Sequence, residues 1–184
     1  MATIYTIGHG TRTGDELVAV LRPAEVVRIV DVRRFPGSRR YPHWARAAME
    51  VWLPHAGIGY DWRGEELGGR RRATAGPTRH PAWRMASFRA YADYMDTDEF
   101  AAALQGLATD AGPLGPLAIM CAETLWWRCH RRLIADALVV QGLEMIHLVG
   151  PSKSEPHKLH PALRMDGRGR PVYDVGETPP LIEG

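Results

Sequence analysis

The sequence predicts an α/β domain: a three-layer sandwich with a mainly parallel sheet, helices on both faces and an extended C-terminal tail. Two observations carry this. Short, continuous apolar runs recur along the chain, the pattern of strands buried on both faces. Amphipathic segments with helical spacing separate them. Composition agrees, since 184 residues with 45% hydrophobic and 24% charged side chains can bury one core without disulfide staples.

The elements follow in order. Ile4-Tyr5-Thr6-Ile7 reads as the first strand. Thr13-Gly14-Asp15-Glu16 has the capping-box pattern, in which hydroxyl and carboxylate each satisfy a backbone donor, and Leu17, Val20 and Leu21 give the helix behind it one apolar face. The run from Val26 to Val32 is the second strand, a helix follows from about Trp44 to His55, and Ile58–Trp62 is a weaker strand. Phe88, Tyr91, Ala92 and Met95 form an i, i+3, i+4, i+7 stripe, and Phe100, Leu104 and Leu107 form another. Leu117–Cys121 and Met145–Val149 are further strands, flanking a helix that carries Leu133, Ile134, Ala137 and Leu138 and stops at Gly142. Residues 1–149 are therefore expected to form a single α/β domain. Residues 150–184, with six of the 14 prolines, are expected to form an extended tail packed on it, with one short hairpin around Gly167 and Gly169.

Several classes are excluded. No apolar run approaches the roughly 20 residues of a membrane helix. The first residues lack the basic and apolar stretches of a secretory signal. Two cysteines do not make a disulfide framework, so a cytoplasmic protein with reduced thiols is expected. The formal net charge of +2 hides its composition, because 21 of the 23 basic residues are arginine. GC-rich coding also produces such an excess, so position says more than number: thirteen arginines lie between Arg28 and Arg89.

Ligands of open parallel sheets bind beyond the carboxyl ends of the strands. Three ends here deliver chemistry: Gly8-His9-Gly10, Asp31-Val32-Arg33-Arg34 and Cys121-Ala122-Glu123. The segment from Cys121 to Arg132 is the densest. Cys129 is expected to open a helix, where the dipole together with Arg128, His130 and Arg131 favours a thiolate, and the free amides there suit an anion. The spacing is not that of a phosphatase or rhodanese loop, since Cys121 to Arg128 leaves six intervening residues, one more than a phosphatase loop carries, and Trp126-Trp127 are bulky for an anion cradle. No metal site is expected, because adjacent Cys129 and His130 do not readily ligate one ion. Elsewhere, the Arg33–Tyr41 segment and Glu65–Arg72, with its two glycines, read as loops, and Trp83-Arg84 and Phe88-Arg89 continue an alternation of arginine with aromatics that suits nucleic acid. His157, Lys158 and His160 read as exposed tail residues.

Taken together, Thr6-Ile7-Gly8-His9-Gly10-Thr11, Val30-Asp31-Val32-Arg33, Glu66-Leu67-Gly68-Gly69, Trp83-Arg84 through Met95, Cys121-Ala122-Glu123, Trp127 through Asp136 and His157-Lys158-Leu159 resemble domain-of-unknown-function family 488 over nearly the whole chain. Gly10 stands where that family usually has Ser, and Leu125-Trp126 where a Pro often precedes the second Trp. The resemblance implies an α/β fold and no settled activity.

The residues read as an enzyme acting on a phosphate-bearing or nucleic-acid-like ligand. His9 and Glu123 are the acid–base pair, and Asp31 orients an arginine or His9. Cys129 is the nucleophile or redox thiol, with Cys121 as its partner. Arg33, Arg34, Arg89, Arg128, His130 and Arg131 hold the anion. Two other readings stand beside it: a non-catalytic nucleic-acid-binding module, and a thiol redox sensor using Cys121 and Cys129. An anionic small molecule or a nucleic acid is the expected partner, and no membrane. The residues name no cofactor, reaction class or oligomeric state.

Overall fold

The computed structural model describes residues 2–113 and 115–175. Its centre is a six-stranded sheet in the order β3-β2-β4-β1-β5-β6. The strands are β1 (Thr3–Gly8), β2 (Arg28–Asp31), β3 (Gly59–Trp62), β4 (Leu117–Cys121), β5 (Glu144–Gly150) and β6 (Lys153–Pro156). The first five pair parallel, and β6 closes one edge antiparallel to β5. The fold is thus α/β, as the apolar runs predict.

Side-chain alternation along the strands builds two cores. Ile4, Val30, Ile119 and Met145 face one side, against Phe88, Phe100 and Leu133. These come from α4 (Ala86–Met95), α5 (Asp98–Asp110) and α6 (Arg131–Val140). Ile7, Ile29, Met120 and Leu148 face the other, against Leu17, Val20, Met49 and Leu53 of α1 (Gly14–Leu21) and α2 (Arg46–His55). The capping box forms in full, with Glu16 N donating to Thr13 Oγ1 at 3.2 Å and Thr13 N to Glu16 Oε2 at 2.7 Å. After α6 the chain turns at Gly142, whose φ of 88° favours glycine.

Four details differ from the sequence expectations. The helix expected from about Trp44 to His55 starts at Arg46 as α2, after a short 3-10 turn, Pro42–Trp44. Glu65–Leu67 are not loop but part of a one-turn helix, α3 (Gly64–Leu67). Cys129 lies before α6 rather than opening it, since the helix starts at Arg131. The tail adds a strand to the sheet, where an extended segment is expected. The hairpin around Gly167 and Gly169 forms as β7 (Leu163–Met165) and β8 (Pro171–Tyr173). The expected tail includes residues 176–184, which lie outside the described residues.

Candidate functional site

Sheet order brings the chemistry together. β2, β4 and β1 are parallel neighbours, and their register sets Gly8 beside Cys121 and Asp31 beside Met120 at the carboxyl edge. Here the chain leaves β1 toward β2 on one side, while β4 leads to β5 on the other, the crossing point at which open sheets form crevices. His9 N and Gly10 N extend the pairing by donating to Cys121 O and Ala122 O at 2.9 and 3.0 Å. A cavity of about 630 Å³ opens above, lined by His9, Arg33, Arg34, Cys121, Glu123, Arg128, Cys129 and His130, among others.

One wall is a fixed ion pair. Arg33 Nε and Nη2 donate to Asp31 Oδ1 and Oδ2 at 2.9 and 2.6 Å, and Tyr60 Oη donates to Oδ2 at 2.7 Å. Arg33 Nη1 donates to the Trp44 carbonyl at 2.9 Å and lies 3.1 Å from His9 Nε2. His9 Nδ1 sits 2.9 Å from the Gly10 carbonyl, which only accepts, so Nδ1 carries the proton and Nε2 accepts from Arg33. Burial, reinforced by the Arg33 charge, lowers the His9 pKa to about 4. With its ring stacked on Trp44 at 4.6 Å, His9 has no free nitrogen for the acid–base role expected of it. It positions Arg33 instead.

The floor is made by Cys121, Cys129 and His130. Their Sγ and ring-nitrogen atoms all lie within 4.8 Å of one another. His130 Nδ1 is 4.0 Å from Cys121 Sγ and 3.6 Å from Cys129 Sγ. A hydrogen bond from Cys129, then the charges of His130 and Arg131, hold the Cys121 thiol well below the ordinary range against the opposing effect of burial. Burial, then the bond to Cys121, pushes Cys129 well above it. Without a helix start at Cys129, the dipole expected to favour its thiolate is absent. Adjacent Cys129 and His130 nevertheless both turn toward Cys121. The irregular backbone between the 3-10 turn Trp126–Arg128 and α6 turns both side chains to the same side.

The rim is cationic and aromatic. Arg34, Arg70 and Arg128 line the cavity, and among the described residues none has an acidic partner within 4.0 Å. Phe35, 66% exposed, lies beside them. Glu123 lines the cavity at an exposed position, accepting from Leu125 N at 3.3 Å.

Three expected site residues do not line the cavity. Arg131 is 1% exposed and donates to the Ile7 and Thr124 carbonyls at 3.0 Å each, so it ties β1 to the 121–124 loop instead of holding a ligand. Asp31 is fully buried behind Arg33. Arg89 is outside the lining and spans 3.4 Å to the Trp83 carbonyl. Of the tail residues expected to be exposed, Lys158 is, but the His157 side chain is 1% exposed and bonded to Asp136 at 2.9 Å.

Sequence reasoning missed Arg70 and Gly69 in the lining. The Gly68-Gly69 pair was the available signal. A Cβ on Gly69 would lie 2.9 Å from His130 Nδ1, and its φ lies outside the left-handed region, so the glycine provides space there, not backbone freedom.

Fold and site together define an α/β protein whose polar cleft sits at the carboxyl edge of a parallel sheet over a Cys–Cys–His floor. The chain belongs to the family described as domain of unknown function DUF488, whose sequence model matches residues 13–138. No curated protein and no solved structure matches it.

Proposed function

We propose that the protein is an enzyme acting on a phosphate-bearing ligand. The observation that carries this is the convergence of Cys121, Cys129 and His130 on the floor of a cavity whose rim presents Arg34, Arg70 and Arg128. Guanidinium groups without acidic partners favour a phosphate, which they bind bidentately. Phe35 supplies a face on which a nucleobase stacks. Arg33, neutralised by Asp31 and locked by His9 and Trp44, shapes the wall without a spare donor for the ligand.

The reacting end of the ligand then lies over the sulfur atoms. Glu123, which makes no ion pair within 4.0 Å among the described residues, is the proton donor or acceptor at the rim. The floor supports either a thiolate that attacks the ligand or a bound ion that polarises it, and the disposition of His130 favours the ion.

The test pairs binding with turnover. Inorganic phosphate, a nucleoside monophosphate and a short single-stranded oligonucleotide are titrated by calorimetry, then followed by phosphorus NMR for conversion. Binding should weaken with added salt, and Arg34→Gln or Arg128→Gln should each cost about tenfold. Conversion should vanish in Glu123→Gln with binding retained. Binding without conversion of any phosphoester favours the nucleic-acid-binding module. No binding of any probe at low salt removes both.

A further inference from the structure

We propose that Cys121, Cys129 and His130 form a three-ligand site for a thiophilic divalent cation of the zinc type, with its fourth position open to the cleft. The inference deepens the enzyme reading by naming what the floor holds, but it stands on observations of its own.

The donor set comes first. Two sulfurs and one imidazole nitrogen are what such an ion selects, and two thiolates with a neutral imidazole balance its charge. Spacing comes second. Bonds of about 2.3 Å to sulfur and 2.0 Å to nitrogen give tetrahedral edges of roughly 3.5–3.8 Å. The distances of 3.6 and 4.0 Å from His130 Nδ1 to the two sulfurs meet that with small side-chain movement.

The orientation of His130 is the third and most specific. Its Nε2 lies 3.1 Å from the Val32 carbonyl, which only accepts. In the neutral imidazole that a metal ligand requires, the ring proton therefore sits on Nε2, and the Nδ1 lone pair faces the sulfurs. A second nitrogen anchored on a backbone carbonyl is how metal-binding histidines are held. The Tyr91 ring, 5.1 Å away, supports the imidazole from the side. Space comes fourth. Gly69 leaves the approach to Nδ1 clear, where a methyl group would sit 2.9 Å from it. All three ligands also line the cavity, so an ion held by them would keep one position for water or a ligand oxygen, the pattern of catalytic and not structural zinc.

The balance of the step is simple. Binding displaces the thiol protons to solvent and forms two sulfur bonds and one nitrogen bond to the ion, with no change of oxidation state.

The test uses the full chain, reduced and dialysed against chelator, titrated with Co²⁺ alone. One equivalent should bind, with sulfur-to-cobalt charge transfer in the near ultraviolet and the visible bands of a tetrahedral ion. Zn²⁺ should displace it, and Mg²⁺ and Ca²⁺, which prefer oxygen, should not. Cys129→Ser and His130→Asn should each weaken binding at least about 10-fold. Gly69→Ala should weaken it while near-ultraviolet dichroism reports an intact fold. Absence of the charge-transfer band in the folded wild type would overturn the proposal, as would wild-type affinity in His130→Asn. Phosphate and nucleotide binding are measured on the same metal-free protein. Metal binding without anion binding sinks the phosphate reading alone, and the converse sinks the metal site alone.

Discussion

Gly8 ends β1 against the loop that carries Glu123, and a Cβ there would meet the Glu123 carbonyl oxygen at 2.0 Å. Neither backbone can retreat easily, because His9 N and Gly10 N are paired to the same segment. Gly8→Ala should therefore cost about 3 kcal/mol, the upper range of overpacking. Gly37 makes the control, with nothing within 4 Å of its Cβ position and no left-handed φ, so Gly37→Ala should be neutral or stabilise by up to about 1 kcal/mol. Urea midpoints of the two variants check this, and equal stability would contradict the packing argument. The same scale shows where reading residues one by one stops. That Cys121, Glu123 and His130 stand near strand ends follows from their place beside apolar runs. That Cys129 and His130 turn to one side, or that the second His9 nitrogen is consumed by Arg33, depends on side-chain directions in irregular backbone, which has no period to read.

Among the elements, α6, β5 and the tail are tied by a buried chain. Thr6 Oγ1 lies 2.6 Å from His147 Nδ1, His147 Nε2 2.9 Å from His157 Nδ1, and His157 Nε2 2.9 Å from Asp136 Oδ1. With both imidazoles neutral, the carboxylate end sets every proton: His157 donates to Asp136, His147 to His157, and Thr6 to His147. Trp126 stacks on His147 at 4.0 Å. Burial above all lowers the His147 pKa to about 3. An unfolded histidine titrates near 6.5, so between that value and about 3 the unfolded chain holds a proton that the folded chain lacks. Stability from this group is complete above pH 6.5 and falls as the pH drops. The slope approaches about 1.4 kcal/mol per pH unit, and His9, shifted in the same direction to about 4, adds to it. Chemical denaturation between pH 6.5 and 4.5 should show a shallower decline for His147→Gln than for wild type, and identical slopes would exclude the assignment. None of this chain was legible in advance. The strands containing Thr6 and His147 were read from their β-branched neighbours, and the polar residues inside those runs carried no sign of one another. β6 escaped for a related reason, since Lys-Ser-Glu-Pro has neither apolar content nor alternation to mark a strand.

At the scale of the whole molecule, the tail reads from its prolines as an extended segment packed on the domain, and in the structure its side chains complete the core. Tyr173 is fully buried, packs 5.2 Å from Trp83 and donates to Asp136 at 3.0 Å, and its carbonyl accepts from Ala82 N at 3.1 Å. Val172 is 1% exposed. At the sheet edge β6 covers β5, and Glu155 accepts from Trp126 Nε1 at 3.2 Å, next to the turn that shapes the cleft floor. Losing one large buried aromatic costs about 3–5 kcal/mol, and the typical stability of a domain is only about 5–15 kcal/mol. A chain ending at Gly150 loses Tyr173, Val172, the His157–Asp136 bond and the pairing of β5 together, and it leaves the Asp136 carboxylate buried without three of its donors. It should show no cooperative thermal transition and no sharp near-ultraviolet dichroism, although the α/β pattern of residues 1–149 is complete in sequence. A cooperative melt within a few degrees of the full chain would mean that the tail is an attachment and that the first 150 residues hold the cleft unaided.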